Sequence, residues 1–219
     1  MSTDDPFASA REAMVAEQIA ARGIRTPLVL AAMRKVPRED FVPEPYRANA
    51  YDDSALPIGS GQTISQPYIV ALMIEAMGLG GGERVLEVGS GSGYAAAVLA
   101  EIASEVIGIE RQPALAKRAK ETLARLGYDT VTVIEGDGSL GYAPGAPYDA
   151  ILVSAAAPGV PPALIEQLRP GGRLVVPVGR VRAHQTVRRI EKAADGGLVE
   201  EEITGVRFVP LVGEQGWKA

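Results

Sequence analysis

Three acidic side chains in this chain stand beside glycine turns. Glu87 precedes Gly89-Ser90-Gly91-Ser92-Gly93, Glu110 follows the next apolar run, and Asp137 lies between Gly136 and Gly138. Carboxylates so placed can accept hydrogen bonds from hydroxyl and amino groups, and glycine lets the backbone turn sharply and approach a ligand closely. Val85, Leu86 and Val88 read as a buried parallel strand, and the alanine-rich stretch Tyr94 to Ala103 as a helix. Strand, glycine turn and helix make the first half of a nucleotide-binding βαβ unit. A second stretch, Leu56 to Tyr68, carries Thr63 and Ser65 among apolar residues. Two glycines and a proline argue against a strand there. Ser65 before Gln66-Pro67 reads as the N-cap of a helix over Tyr68 to Met77, with Ile69, Leu72, Met73 and Ala76 on one face. The start of that helix would present free N–H groups to a carboxylate.

The spacing of the first turn narrows the ligand. A dinucleotide fingerprint, G-x-G-x-x-G, would need its third glycine where Tyr94 stands. The G-x-G-x-G form with Glu87 two residues ahead instead resembles the turn of S-adenosylmethionine (SAM) methyltransferases. Glu110, 17 residues after Gly93, suits a ribose diol, and Asp137 suits an adenine amino group. Taken singly, each has a plainer reading: a turn without ligand, a solvated strand-end glutamate, a turn aspartate. Taken together in this order they form a nucleoside clamp.

Bulk properties exclude other chemistries. The chain has 219 residues, 47% of them hydrophobic and 22% charged, within the range of one large globular domain. It has no cysteine, which excludes disulfides and thiolate catalysis, and one histidine, His184, too few for a zinc site or a Ser-His-Asp triad. A net charge of −5 argues against nucleic acid as the main partner. No membrane span or signal segment is visible, so a cytoplasmic enzyme without metal is expected.

Those residues require a scaffold to position them. Phe7 to Arg22 and Thr26 to Lys35 read as helices, stopped by Gly23 and Pro37, with Thr26 as the cap of the second. Pro43 to Asp53 reads as loop. Strands are expected at Val106 to Glu110, Val131 to Ile134, Asp149 to Ser154, Arg173 to Val178, Gln185 to Glu191 and Val199 to Leu211. Helices are expected at Pro113 to Leu126 and Pro161 to Leu168. The alternation predicts an α/β fold: a doubly wound, mostly parallel seven-stranded sheet with an N-terminal helical cap. A single domain with three regions is expected: 1–78 for the helices and substrate loop, 79–180 for the nucleotide core, and 181–219 for the last strands and tail.

From Met14 to Trp217 the chain resembles the protein-L-isoaspartate (D-aspartate) O-methyltransferase family. The resemblance is carried by Pro37-Arg38-Glu39-Asp40-Phe41-Val42, Ala55-Leu56-Pro57-Ile58-Gly59, Gly61-Gln62-Thr63-Ile64-Ser65-Gln66-Pro67, the glycine turn, Gly136-Asp137-Gly138 and Val206-Arg207-Phe208-Val209-Pro210-Leu211. It implies the Rossmann-like methyltransferase fold, Ser65 as the active-site serine, and SAM as cofactor with S-adenosylhomocysteine as product. Cofactor contacts implied are Gln62, Thr63, Ile64, Gly89, Ser90, Gly91, Ser92, Gly93, Glu110, Arg111, Asp137 and Gly138. Substrate contacts implied are Ile58, Gly59, Thr63, Ser65, Val206, Arg207, Phe208, Val209 and Pro210. In the family the C-terminal tail also approaches the cofactor; here it is short, Val212 to Trp217.

The implied activity is methyl transfer to the free carboxylate of isoaspartyl residues in damaged proteins, by a monomer acting without nucleic acid or membrane. A carboxylate is already ionised at neutral pH and needs no general base, which suits a chain with one histidine. Ser65 is then a positioning donor, an N-cap, or both. Thr63 carries the same two readings. Arg207 faces the substrate or is a solvated strand arginine. His184 reads as a surface residue, Trp217 as a packing anchor for the tail, and Glu200 to Glu202 as a solvated strand face. The competing functions are a methyltransferase for one dedicated peptide aspartate, a nicotinamide dehydrogenase, and a SAM-binding module without catalysis.

Overall fold

The computed structural model describes residues 5–180 and 184–218. Helix α1 (Ala8–Ala13) runs on through a wider turn at Met14–Ile19 and a tighter one at Ala20–Arg22, and stops at Gly23 with φ of +102°. Helix α2 (Pro27–Lys35) starts with proline, but Thr26 does not cap it through its side chain. Instead the amides of Arg25 and Thr26 both donate to Glu75 Oε1 at 2.8 Å. The expected loop at Pro43 to Asp53 contains a 3-10 turn, Glu44–Asn49.

The stretch expected not to be a strand is a two-stranded antiparallel hairpin, β1 (Leu56–Gly59) and β2 (Gln62–Ile64). Its glycines make the hairpin rather than break it. Gly59, Ser60 and Gly61 all have positive φ (94°, 52° and 70°), which a tight hairpin turn demands. Helix α3 (Pro67–Met77) follows. Its N-cap is Gln66, not Ser65, because the proline ring fixes the first helical position one residue later than expected. The buried face of α3 is Val70, Ala71, Met73, Ile74 and Met77, while Ile69, Leu72 and Ala76 lie at its margin.

The remaining elements alternate: β3 (Arg84–Val88), α4 (Tyr94–Ala100), β4 (Glu105–Glu110), α5 (Pro113–Arg125), β5 (Val131–Glu135), β6 (Tyr148–Val153), α6 (Pro162–Gln167), β7 (Leu168–Gly179), β8 (Gln185–Lys192) and β9 (Leu198–Val206). They form one seven-stranded sheet of order β5-β4-β3-β6-β7-β8-β9. The first five strands pair parallel; β8 and β9 are added antiparallel. The expected doubly wound, mostly parallel sheet is therefore what the chain forms. Strand β9 ends at Val206, short of Leu211. Beyond it the chain crosses to the end of β6, where Pro210 bridges Ala156.

The central strands read as unbroken apolar runs because both faces are covered. Val85, Val106, Leu152 and Val175 point into a layer shared with the N-terminal helices, α3, α4 and α5. Their neighbours Leu86, Ile107, Val153 and Val176 point into a second layer under α6. Helix α4 begins at Gly93, whose φ is +89° and where a Cβ would lie 3.1 Å from Leu123 Cδ1 on α5. Gly93→Ala is expected to lower the unfolding free energy by about 1–3 kcal/mol, from left-handed strain and crowding together. A urea midpoint unchanged in the ligand-free protein would show that α4 and α5 do not meet through this glycine.

Candidate functional site

Sheet order reverses at β3, which has β4 on one side and β6 on the other. The chain therefore leaves the carboxyl ends of β3 and β6 in opposite directions, and a crevice opens between them. The glycine turn forms its floor. Gly89 and Gly91 have φ of +84° and +55°, and the amides of Gly89 and Ser90 both donate to Ile109 O. A Cβ at Gly91 would lie 3.1 Å from Ile58 Cδ1, so the turn and the β1–β2 hairpin pack without room for a side chain.

Glu110 ends β4, and its carboxylate accepts from the Gly91 amide and the Gln112 amide, each at 2.8 Å. A carboxylate has about four lone-pair sites, so this grip on the turn leaves acceptor capacity on the side lining the crevice. Glu87 is fully buried, and among the described residues neither of its oxygens has a hydrogen-bond partner. The Ser90 hydroxyl stands beside it, also unpartnered. Burial, with the like charge of Glu110 adding to it and the Ser90 hydroxyl opposing, pushes the Glu87 carboxyl up to about 7. Glu87, Ser90 and Ser92 face a small cleft whose opposite wall is Thr63, Ile64 and Ser65. Unsatisfied buried acceptors beside a close-approach glycine turn fit a ligand with a cationic end there.

Asp137 does not face the crevice as expected. Its Oδ1 accepts from the Ser139 amide at 2.9 Å and hydroxyl at 2.7 Å, and its Oδ2 from the Glu214 amide at 2.7 Å. Partial burial pushes its pKa up, but these donors and the charge of Arg111 outweigh it and hold the carboxyl below its ordinary value. The adjacent Gly138 lines the crevice in its place, with Arg111 and Gln112. The grip on Glu214 seats the tail: a Cβ at Gly213 would overlap the Asp137 carboxylate, and the Gln215 amide donates to Ser139 Oγ at 3.0 Å. Trp217 is the anchor expected, half-buried with Nε1 donating to Ala156 O at 3.0 Å.

On its other side the crevice opens into a cavity of about 650 Å³ bordered by Thr63, Ser65, Gln66, Ser154 and the chain from Gly205 to Val209. Ser65 reaches it because Arg38, fully buried, donates from Nη2 to the Ser65 carbonyl and from Nε to the Ala50 carbonyl, both at 2.7 Å. The Arg38 guanidinium also lies 4.7 Å from the centre of the Tyr94 ring on α4. The wall beyond β9 is held by Gln185, whose side chain accepts from the Phe208 amide at 2.6 Å and donates to the Phe208 carbonyl at 3.3 Å.

The expected residues thus divide. Thr63, Ser65, Val206, Arg207, Phe208 and Val209 border the large cavity, and His184 is exposed at its edge. Gln62, Gly89, Gly91, Glu110, Arg111, Gly138 and Pro210 border the crevice, and Ile64, Ser90 and Ser92 the cleft beside it. Besides Asp137, three more residues lie elsewhere. Ile58 is buried under the glycine turn, with its carbonyl accepting from Arg118; Gly59 is in the exposed hairpin turn; Gly93 serves helix packing. Ser154, which borders all three spaces, was missed, although its place at the carboxyl end of β6 is the signal that finds it. Arg38 and Gln185 act through contacts distant in sequence and left no local signal.

Residues 9–216 match the model of the family described as Protein-L-isoaspartate(D-aspartate) O-methyltransferase (PCMT). The chain belongs to this family. It is 61% identical over 211 residues to a protein named protein-L-isoaspartate O-methyltransferase 1 from Rhodopseudomonas palustris, covering 96% of this chain and 86% of the relative. A protein-L-isoaspartate O-methyltransferase from Methanoregula boonei is 55% identical over the full length of both chains. Among solved structures, a protein-L-isoaspartate O-methyltransferase superposes with a TM-score of 0.86 at 32% identity, over 94% of this chain and 67% of the other. A Plasmodium falciparum member, solved with S-adenosyl-L-homocysteine, gives 0.78 at 27% identity, over 91% and 96% of the two chains.

The buried Glu87 sets a pH dependence. Its folded pKa of about 7 lies above the ordinary 4.5, so the folded state holds a proton that the unfolded chain has lost. Stability of the ligand-free protein should therefore fall as pH rises through that window, by about 2–4 kcal/mol in all. Glu87→Gln should flatten the slope between pH 5 and pH 8 in urea titrations. An equal slope in the variant would place the proton elsewhere.

Proposed function

We propose that this family member binds SAM along the crevice and an isoaspartyl peptide in the adjoining cavity, and transfers a methyl group where the two spaces meet. The observation that carries this reading is that Thr63, Ser65 and Ser154 border both the large cavity and the cleft over the glycine turn. The activity is that of a protein repair methyltransferase, with SAM as donor and the free carboxylate of an isoaspartyl residue as acceptor. SAM, when bound, supplies a methyl group made electrophilic by its sulfonium.

The protein's own groups do the rest. Glu110 accepts from ribose hydroxyls with the capacity left after it fixes Gly91 and Gln112. Glu87 and the Ser90 hydroxyl, which line the cleft, would hold the cationic methionine end, and Gly138 and Arg111, which line the crevice, would hold the base. Thr63 and Ile64 separate cofactor from peptide. Ser65 donates to one oxygen of the substrate carboxylate and leaves the other to attack the methyl carbon in line. The carboxylate needs no base, since it is ionised near neutrality. Orientation of the two reactants supplies most of the acceleration, an effect that reaches roughly 7–11 kcal/mol in favourable intramolecular cases. The resulting ester carries a methoxy group, which leaves far more readily than an oxygen of a free carboxylate. The neighbouring backbone nitrogen then displaces methanol, and hydrolysis of the succinimide returns some normal aspartate.

The peptide is read through its main chain, because damage arises in many sequences. Past β9 the amides of Arg207 and Val209 have no backbone partner among the described residues, and both residues border the cavity, which suits main-chain pairing with a peptide. The segment from Thr63 to Gln66 and the chain from Gly205 to Val209 contribute most of the peptide wall, and the glycine turn with the ends of β3 and β4 the nucleoside floor.

Transfer of labelled methyl from SAM to an isoaspartyl peptide, with its normal aspartyl twin as control, tests the reading. Label is expected on the isoaspartyl peptide alone; equal labelling of the twin would point to another acceptor. Ser65→Ala is expected to lower kcat more than about tenfold with SAM affinity retained, as loss of a donor to the reacting carboxylate should. Full turnover by the folded variant would remove Ser65 from the reaction.

A further inference from the structure

The cavity assigned to the peptide is cationic in an acidic protein. The chain carries 27 acidic and 22 basic residues, yet no aspartate or glutamate borders this space among the described residues. Among the described residues, the ionisable side chains on its wall are Arg207 and His184. On the neighbouring strands the arginines are matched: Arg188 pairs with Glu200 and Glu202, Arg189 with Glu201, and Arg173 with Glu191. Arg207 has no such partner among the described residues, although Glu200 to Glu202 lie on β9, which ends one residue before it.

Nor is Arg207 on a loose segment. Val206 before it pairs with Gln185 in the β8–β9 ladder. Phe208 after it is held at both main-chain groups by the Gln185 side chain, itself buried to 2% exposure. One glutamine therefore fixes the backbone on both sides of the arginine. A guanidinium presented in this way, exposed at the border of the cavity and without a carboxylate of its own among the described residues, is a ready partner for a carboxylate on the substrate.

We propose that Arg207 gives the enzyme a preference among damaged sequences, favouring isoaspartyl sites with an acidic side chain one or two residues away. The reacting carboxylate is met at Ser65, and a second carboxylate on the same peptide is met at Arg207. This inference rests on the cavity being the peptide site.

The test uses the whole protein and three sets of isoaspartyl peptides, alike except for glutamate, alanine or lysine at positions flanking the isoaspartyl residue. In the wild type kcat/KM is expected to be roughly three- to fivefold higher for glutamate than for lysine at the favoured position, the range of a partly solvated ion pair. Salt at ~0.5 M should shrink that ratio, since screening then acts over a few ångströms. Arg207→Gln should bring the ratio close to one, and Arg207→Lys should keep most of it. SAM affinity reports that each variant is folded. A wild-type ratio near one, or a ratio that survives Arg207→Gln, overturns the proposal. So does a Lys variant that loses the ratio as fully as the Gln variant, since charge would then not be the cause. Absence of methylation on every isoaspartyl peptide would instead overturn the function itself, and the preference with it.

Discussion

A buried cation joins the two halves of this site. Arg38 lies wholly out of solvent with no carboxylate against it among the described residues, held by two backbone carbonyls and the face of Tyr94. Burial pulls its pKa down, but a guanidinium does not lose its proton in a protein. Its charge must be met by dipoles and by the π face, and the chain has to close around it in one arrangement. The carbonyls belong to Ala50 and Ser65, and the ring belongs to the helix that follows the glycine turn. One side chain thus gathers the N-terminal helices, the serine segment and the nucleoside floor. This contact ties the Ser65 segment to the helix that follows the glycine turn.

On the floor the logic is opposite. Glu87 is held out of water with nothing to satisfy it. Such a group is costly in the ligand-free protein and becomes favourable when a positive charge arrives. Part of the stability of the empty protein is exchanged for affinity at the place where a cationic ligand end belongs. Glu110 shows the complementary arrangement, using half its acceptor capacity to shape the turn and keeping half for a ligand.

Local chemistry was legible in the sequence, and long-range geometry was not. Gly89 and Gly91 announced a close-approach turn because few backbones need that run of positive φ. Glu110 was found by its distance along the chain from the turn. The hairpin at Leu56 to Ile64 was misread because Pro57 and the glycines count as breakers, although Gly59-Ser60-Gly61 is what a tight reversal requires. Ser65 was misplaced as a cap by one residue, since Pro67 determines where the helix begins. Asp137 could not have been read correctly from its surroundings: its partner Glu214 is 77 residues away. A charged residue is taken by default for a solvated one, and so Arg38 was passed over as a tether, while Gln185 holds a strand 23 residues distant.

Strand β9 is the outer edge of the sheet, and it carries Glu200, Glu201 and Glu202 in succession, exposed and laced to Arg188 and Arg189. Negative charges along an open edge discourage another strand from zipping onto it. For a catalyst that acts on other polypeptides, that protection has a particular use. An extended chain that meets the sheet side-on finds no welcome along this margin, and the molecule does not gain a second, unproductive berth for it.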